Sequence, residues 1–238
     1  MELVLLPGMD GTGQMFGPFL RSLPPNLKAS VVRYPTNKEC SFEALADIAD
    51  LAIPTDAPSI IVAESFSGLV ACELLKHPPA SVRGIVLVAT FLAPPRPLLM
   101  RVLAALPTTA RHGGRFGLSL AGRACLGRKP TPETLDLLAA ALAEVPPRIL
   151  AGRLRMIRQP PTAPTAINVP MCYLQGTRDR LIPAKCTSAF APLTAKLEVI
   201  PIDGPHMLLQ TRPAKCWQAI RTSRTIGPIL DPFLAGRR

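Results

Sequence analysis

The sequence predicts an α/β fold in which helices cover both faces of a mostly parallel sheet. Short runs of aliphatic and β-branched residues recur along the chain, and the stretches between them are long enough to form helices. Alternating strands and helices favour parallel strands, because right-handed crossovers return the chain to the same end of the sheet. The 238 residues, of which 48% are hydrophobic, suffice for one domain with a buried core.

Six segments are predicted to be strands that are buried on both faces, since each is a continuous apolar run of strand length. They are residues 2–6, 29–34, 59–63, 83–89, 171–174 and 196–202. A helix is predicted at residues 41–51, where Ser41 is a suitable N-cap, and another at residues 68–76. The segment from residue 222 to residue 238 has weak periodicity, and it is either a packed extension or a frayed tail.

The alternation of strands and helices stops after residue 90. No strand candidate occurs before residue 166, and helical patches are found at residues 97–106, 114–126, 132–142 and 147–157. A structureless loop of this length would be implausible in a compact domain. We therefore interpret residues 91–165 as a small helical cap inserted over an α/β core, which is formed by residues 1–90 and 166–238.

The charge of the chain is strongly basic and unevenly distributed. The formal net charge is +11, and the segment between residues 92 and 165 holds eleven basic residues and three acidic ones. Such a field can steer an acidic partner toward a site, although the same charges can also form an ordinary solvated surface. Nucleic acid is not expected as a partner, since basic and aromatic residues are not interleaved in the way that a stacking platform requires.

The first residues lack the basic start, the longer apolar stretch and the cleavage site of a secretion signal. No window approaches the ~18 uninterrupted apolar residues of a membrane helix. A cytoplasmic protein without a transmembrane segment is therefore expected. The six cysteines form no CxxC pair and no metal-ligand pattern, so we expect them to be reduced, and we expect no metal site.

The strongest local signal is the hexapeptide AESFSG, residues 63–68, which lies between a predicted strand and a predicted helix. A serine nucleophile on such a strand–turn–helix needs small neighbours, because the turn is tight and its backbone is strained. Ala63 and Ser67 meet this need around Ser65. Ser67 is less suitable as the nucleophile, since Leu69 would then occupy a small position. The alternative is that Ser65 is only a helix cap.

Three further signals also follow predicted strands. The glycine-rich loop PGMDGTG, residues 7–13, follows the first strand and matches neither phosphate-binding fingerprint, GxGxxG or GK[ST]. Asp179 follows the fifth strand, and His206 follows the sixth. Asp179 could instead merely stabilise its loop, and Asp203 is a less suitable acid partner for the histidine.

The other two histidines, His77 and His112, are less suitable than His206 for a catalytic part. His77 precedes two prolines at a predicted helix end, and His112 lies beside two glycines in the predicted insertion.

The order serine, aspartate, histidine at the carboxyl ends of three strands is that of α/β-hydrolases. From Glu2 to about Ile220 the chain resembles the α/β-hydrolase superfamily. The motifs PGMDGTG and AESFSG are similar to those of small bacterial esterase-like and lipase-like hydrolases, and of hydrolase-like acyltransferases that make phytyl esters. The resemblance implies a shortened α/β-hydrolase fold of about six strands, which lacks the first two strands of the superfamily.

The resemblance also implies a catalytic triad of Ser65, Asp179 and His206, together with an oxyanion hole formed by the backbone N–H groups of Met9 and Phe66. The expected activity is that of a cofactor-free carboxylesterase that cleaves short or medium acyl esters through an acyl-enzyme.

Three alternatives remain open. The enzyme could act on acyl groups held by an acidic carrier protein, as the basic cap suggests, or it could transfer acyl groups to a lipid alcohol. The fold could also serve as a non-catalytic binding module. Apolar residues of the predicted cap could line an acyl pocket or simply pack the cap onto the core; they are Leu98, Leu99, Met100, Leu103, Phe116, Leu118 and Leu120.

Overall fold

A sheet of six parallel strands forms the centre of the fold. The structure is a computed structural model, and it describes residues 1–96 and 122–235. The strands in chain order are β1 (Glu2–Leu6), β2 (Lys28–Val31), β3 (Ser59–Glu64), β4 (Val82–Val88), β5 (Met171–Gly176) and β6 (Leu197–Ile202). Their spatial order is β2-β1-β3-β4-β5-β6, and every neighbouring pair is parallel. The predicted α/β fold class is therefore confirmed, with a sheet that is wholly parallel among the described residues.

The central strands are mostly apolar because helices cover both of their faces. In β1, Val4 belongs to the core on one face, whereas Leu3 and Leu5 belong to the core on the other. Strand β3 alternates in the same way and is buried at all six positions. The two edge strands are more exposed, since each has a sheet neighbour on one side only.

The α-helices whose bounds lie wholly in the described residues are α1 (Gly17–Leu20), α2 (Phe42–Leu51), α3 (Ser67–Leu74), α4 (Pro132–Ala143), α5 (Pro147–Arg158), α6 (Leu208–Thr211), α7 (Pro213–Thr222) and α8 (Gly227–Ala235). Residues 122–125 are helical as well. Residues Gln14–Phe16 and Ala184–Leu193 are 3₁₀-helical. Ser41 caps α2, as predicted, by accepting a hydrogen bond from the Ala44 N–H at 3.3 Å. In this part of the chain no helix is both long enough and apolar enough to cross a membrane.

The structure differs from the sequence-based expectations in a few places. The second strand ends at Val31 rather than at residue 34, because the Tyr34 N–H donates to the Gly11 carbonyl in the loop after β1. Helix α7 and the two 3₁₀ segments were not predicted from the sequence. Several features expected from the sequence lie outside the described residues. They are the helix at residues 97–106, most of the helix at 114–126, His112, and the seven apolar cap residues listed above.

The C-terminal segment is a packed extension as far as Leu234, rather than a frayed tail. Ile226 and Leu230 are fully buried against the sheet. The turn before α8 is held by Glu198 of edge strand β6. Its carboxylate accepts hydrogen bonds from the Ser223 hydroxyl and the Arg224 N–H, each at 2.7 Å, and from the Thr225 N–H at 3.3 Å.

The strand order places the loops that carry the candidate site residues at one edge of the sheet. It reverses between β1 and β3, so the chain leaves these adjacent strands in opposite directions and opens a crevice at their carboxyl ends. The glycine-rich loop follows β1 and the AESFSG turn follows β3. The loops that carry Asp179 and His206 follow β5 and β6 at the same edge of the sheet.

The Glu198 contact leads to a stability prediction. Glu198→Ala removes the acceptor of several hydrogen bonds around a partly buried turn, and it should lower the free energy of unfolding by about 1–3 kcal/mol. Urea unfolding followed by circular dichroism measures this. Glu39→Ala is the matched control, because it removes an ion pair with Arg155 whose side chains are more than half exposed, and it should cost less than ~1 kcal/mol. Equal losses in the two variants would contradict the role of Glu198.

Candidate active site

Ser65 lies in the turn between β3 and α3, and it has a left-handed backbone with φ = 52°. This conformation is strained for any residue other than glycine, by roughly 1–3 kcal/mol. The end of the neighbouring strand, β4, holds the backbone of Ser65 in this conformation. The Ser65 N–H donates to the Val88 carbonyl at 2.9 Å, and the Ser65 carbonyl accepts from the Thr90 hydroxyl at 2.5 Å. The strained turn raises Ser65 above the end of the sheet, where its side chain is partly exposed.

The residues around Ser65 are small for identifiable reasons. A Cβ atom at Gly68 would lie 1.8 Å from the Thr90 hydroxyl oxygen, so no side chain fits there. Ser67 does more than fill a small position. It is fully buried, its hydroxyl donates to the Pro7 carbonyl, and it lies 2.7 Å from the Tyr34 hydroxyl, which donates to it. Ser67 therefore connects the turn of Ser65 to the loop after β1.

Ser65, His206 and Asp179 form a hydrogen-bonded chain. His206 Nε2 lies 3.0 Å from Ser65 Oγ, and His206 Nδ1 lies 2.8 Å from Asp179 Oδ2. The histidine and aspartate side chains are 8% and 3% exposed. The second carboxylate oxygen, Oδ1, accepts hydrogen bonds from the N–H groups of Leu181 at 2.8 Å and Ile182 at 2.9 Å. These two bonds fix the carboxylate, and the carboxylate in turn orients the imidazole.

The loops that carry Asp179 and His206 are attached to each other. The Arg178 N–H donates to the Gly204 carbonyl at 3.0 Å, and a Cβ atom at Gly176 would lie only 2.7 Å from the Pro205 carbonyl oxygen. Asp203, the alternative acid partner, points away. Its side chain is 66% exposed and pairs with Arg178 at 2.9 Å. The geometry therefore favours Asp179 over Asp203 as the partner of the histidine.

His77 lies exposed just beyond α3, at the helix end opposite to the turn of Ser65. Within the described residues, no group of three or more His, Cys, Asp or Glu side chains is arranged to hold a metal ion.

The glycine-rich loop after β1 forms a tight turn beside Ser65. The Gly8 carbonyl accepts a hydrogen bond from the Gly11 N–H at 3.0 Å, and the Asp10 carboxylate accepts from the Thr12 N–H at 3.0 Å and from its hydroxyl at 2.6 Å. Among residues 1–96 and 122–235, no acceptor is found for the N–H of Met9 or for that of Phe66. Both predicted oxyanion donors are thus left without an internal partner.

A buried acid that the sequence reasoning did not single out precedes Ser65. Glu64 is 5% exposed, and its Oε2 accepts a hydrogen bond from Gln210 Nε2 at 3.1 Å. Its Oε1 has no partner among the described residues. Burial raises the pKa of Glu64 to about 7, although the Gln210 hydrogen bond and nearby His206 oppose this shift. An acidic residue at the end of an apolar strand run was the available sequence signal.

Helix α4 and the residues before it pack over this edge of the sheet. Met15, Leu126, Leu138 and Ala141 form a small separate core that also contacts Met207. The Met207 N–H donates to the Cys125 carbonyl at 2.9 Å. In this part of the predicted cap, the apolar residues serve to pack it onto the loops after β1 and β6.

Comparison with known proteins agrees with the fold. Residues 3–219 match the alpha/beta hydrolase family, and the chain belongs to that family. No curated protein gives a significant match to the chain.

Solved structures with the same fold include two esterases. A thermophilic esterase from Thermogutta terrifontis has a TM-score of 0.73 at 20% identity, covering 98% of this chain and 90% of that one. The esterase RhEst1 from Rhodococcus sp. ECU1013 has a TM-score of 0.73 at 19% identity, covering 93% and 89%. ClbQ from the colibactin NRPS/PKS pathway has a TM-score of 0.67 at 16% identity, covering 98% and 97%. At these identities the likeness shows the fold alone.

Glu64 predicts an unusual pH dependence of stability. Because its pKa is about 7 in the folded protein and near 4.5 when unfolded, the folded state binds more protons between these values. The contribution of Glu64 to stability therefore falls as the pH rises from about 4.5 to about 7, by roughly 3 kcal/mol in total.

Urea unfolding of wild type and Glu64→Gln at several pH values between 5 and 8 measures this effect. The free energy of unfolding of the variant, relative to wild type, should increase with pH. A difference that stays constant over this interval would show that Glu64 titrates normally.

Proposed function

We propose that the protein is a serine hydrolase that cleaves carboxylic esters of short or medium acyl chains, with Ser65, His206 and Asp179 as its catalytic triad. The observation that carries this proposal is the hydrogen-bonded chain from Ser65 Oγ through His206 to Asp179. Among the described residues, the backbone N–H groups of Met9 and Phe66 have no acceptor, which leaves both available as oxyanion donors. Membership of the alpha/beta hydrolase family supports hydrolysis as the class of reaction.

In the first half of the reaction, His206 Nε2 takes the proton of Ser65 as Oγ attacks the carbonyl carbon of the ester. Asp179 accepts the Nδ1–H hydrogen bond, which keeps Nε2 free to act as the base and stabilises the imidazolium that forms. The bond to the alcohol oxygen then breaks, and His206 returns the proton to the departing alcohol. The acyl group remains on Ser65 as an ester.

In the second half, water replaces the alcohol. His206 takes a proton from the water, whose oxygen attacks the acyl carbon, and the acid is released as Ser65 regains its proton. In both halves the negative charge on the substrate oxygen is stabilised by the N–H groups of Met9 and Phe66. Donors of this kind contribute about 3–4 kcal/mol each to transition-state stabilisation.

A second candidate is hydrolysis of acyl groups held as thioesters on an acidic carrier protein. The favouring observation is the set of exposed basic residues that the described part of the predicted cap displays besides Arg155, which pairs with Glu39: Arg123, Arg128, Lys129, Arg148 and Arg158. A similar fold occurs in ClbQ, which belongs to an NRPS/PKS pathway. Thioester cleavage would use the same nucleophile, base and oxyanion donors, so only the recognition of the substrate would differ.

The triad predicts burst kinetics with p-nitrophenyl esters of graded chain length. The wild type should release one equivalent of p-nitrophenol per site before steady state, with an optimum at short or medium chains. Ser65→Ala and Asp179→Asn should each lower kcat by about 10⁴-fold or more. Asp203→Asn is the matched control and should change kcat less than twofold, since Asp203 pairs only with Arg178 among the described residues.

The proposal fails if Ser65→Ala retains turnover. Product analysis with excess long-chain alcohol separates hydrolysis from acyl transfer, because an ester product would identify a transferase. Absence both of Ser65 labelling by a fluorophosphonate and of turnover of any ester would favour a binding module.

The carrier hypothesis predicts that an acyl group on an acidic carrier protein is cleaved with a higher kcat/KM than the same acyl group on free pantetheine. The advantage should shrink as sodium chloride is raised from 50 to 500 mM, because salt screens charge steering. The double charge reversal Arg128→Glu and Lys129→Glu should reduce it further while sparing the free thioester. Equal cleavage of both substrates, independent of salt, would reject carrier recognition.

A further inference from the structure

Arg153 lies on the inner side of helix α5, and only 4% of its surface is exposed. Its guanidinium donates hydrogen bonds to three backbone carbonyl oxygens, those of Met9 at 2.9 Å, Asp10 at 2.6 Å and Pro35 at 2.9 Å. In the described parts of the chain, no carboxylate lies within ion-pairing distance of it. The buried charge is therefore stabilised chiefly by the backbone of the loop after β1, a costly arrangement compared with an exposed ion pair.

Attachment of the helix does not require this buried charge. Arg155, two residues along, pairs with Glu39 on the surface at 2.9 Å, and Arg148 donates to the Asn37 carbonyl at 3.1 Å. The apolar residues Leu154 and Ile157 of the same helix belong to the main core. What distinguishes Arg153 is its target, the loop whose Met9 N–H is the proposed oxyanion donor.

The contacts of Arg153 fix the orientation of consecutive peptide groups in that loop. In a trans peptide the C=O and the N–H point in opposite directions. The Gly8 carbonyl is held by the Gly11 N–H, which aims the Met9 N–H the other way. Arg153 holds the next two carbonyls, those of Met9 and Asp10. A Cβ atom at Gly11 would lie 2.4 Å from the guanidinium, so the loop and Arg153 are in direct contact.

A second route leads from Arg153 to the turn of Ser65. The guanidinium carbon lies 5.8 Å from the centre of the Tyr34 ring, above its face. The Tyr34 N–H donates to the Gly11 carbonyl at 2.8 Å, and the Tyr34 hydroxyl donates to Ser67. Ser67 in turn donates to the Pro7 carbonyl. Arg153 and Tyr34 thus connect the glycine-rich loop to the turn of Ser65, through hydrogen bonds at both ends of that loop.

We propose that Arg153 is a positioning residue for the oxyanion hole, through which helix α5 sets the Met9 N–H at the distance that a tetrahedral intermediate requires. This inference rests on the proposed serine hydrolase function. It concerns the transition state, because the loop donates to the substrate oxygen most strongly when that oxygen carries a negative charge.

The test compares Arg153→Met with Arg155→Met, a matched change on the same helix at an exposed position. Fluorophosphonate titration counts the active sites, and kcat and KM for a p-nitrophenyl ester are expressed per titrated site. Arg153→Met should lower kcat per site by about 10²–10³-fold, the usual effect of losing one oxyanion donor, and should change KM less than about threefold. Arg155→Met should leave both constants within twofold of wild type.

A trifluoromethyl ketone distinguishes positioning from a merely structural role. It forms a tetrahedral adduct with the serine and places a negative oxygen in the hole, so its Ki should rise in Arg153→Met by about the factor lost in kcat/KM. A variant that is only less stable would lose titratable sites, but it would keep the Ki and the kcat of the sites that remain. Unchanged Ki and kcat per site would overturn the assignment of Arg153.

Two further outcomes are kept apart by the same measurements. If Arg153→Met does not fold, the same measurements are made on Arg153→Lys. A single ammonium group cannot span the three carbonyls, so kcat per site should fall at least tenfold with a matching rise in Ki, and wild-type values would overturn the proposal. If wild type neither binds the fluorophosphonate nor turns over esters, the proposed function itself fails, and this inference fails with it.

Discussion

The left-handed backbone of Ser65 is the local constraint around which the site is arranged. A serine does not adopt this conformation without support, and the support comes from the end of the neighbouring strand. The Val88 carbonyl and the Thr90 hydroxyl hold the peptide groups of Ser65 on both sides. Thr90 also occupies the space in which a side chain at residue 68 would lie. The strain at Ser65 is therefore offset by contacts with β4, which is itself buried between β3 and β5.

The remaining site residues are positioned by contacts between loops as well as by hydrogen bonds within each loop. The loops after β5 and β6 are joined through Arg178, Gly204 and the close packing at Gly176. The loop after β1 is joined to the turn of Ser65 through Ser67, and to helix α5 through Arg153. Each of these attachments satisfies polar groups that would otherwise be buried without partners, and that requirement gives the site a single arrangement.

The buried charges of the site follow one physical rule. The Asp179 carboxylate accepts hydrogen bonds from His206 and from two backbone N–H groups, whereas in the described part of the chain Glu64 has one hydrogen bond and an oxygen without a partner. Burial disfavours the charged form of a carboxyl unless hydrogen bonds or an opposite charge compensate. The pKa of Glu64 is raised to about 7 for this reason. Two carboxyl groups near one histidine thus differ in the number of hydrogen-bond donors that surround them.

Much of this architecture could be read from residue order alone. Continuous apolar runs predicted the strands because a parallel sheet is buried on both faces, and AESFSG after such a run predicted the turn of Ser65. The order of Ser65, Asp179 and His206 at strand ends predicted that they would meet, since the carboxyl ends of parallel strands share one edge. These features are local, or they follow from the direction of the strands, and such information is contained in the sequence.

Other features depended on contacts between residues distant in the chain. The sequence favoured Asp179 over Asp203, but the direction in which each side chain leaves its loop was set by the tertiary structure. The contact of Arg153 with Met9 joins residues 144 positions apart, and that of Ser67 with Pro7 joins residues 60 apart. The position of Arg153 in α5, four residues from both Ile149 and Ile157, was a sequence signal for its buried face. Only the tertiary structure decided what that face would meet, because the partners of a buried polar group are set by the packing of whole elements.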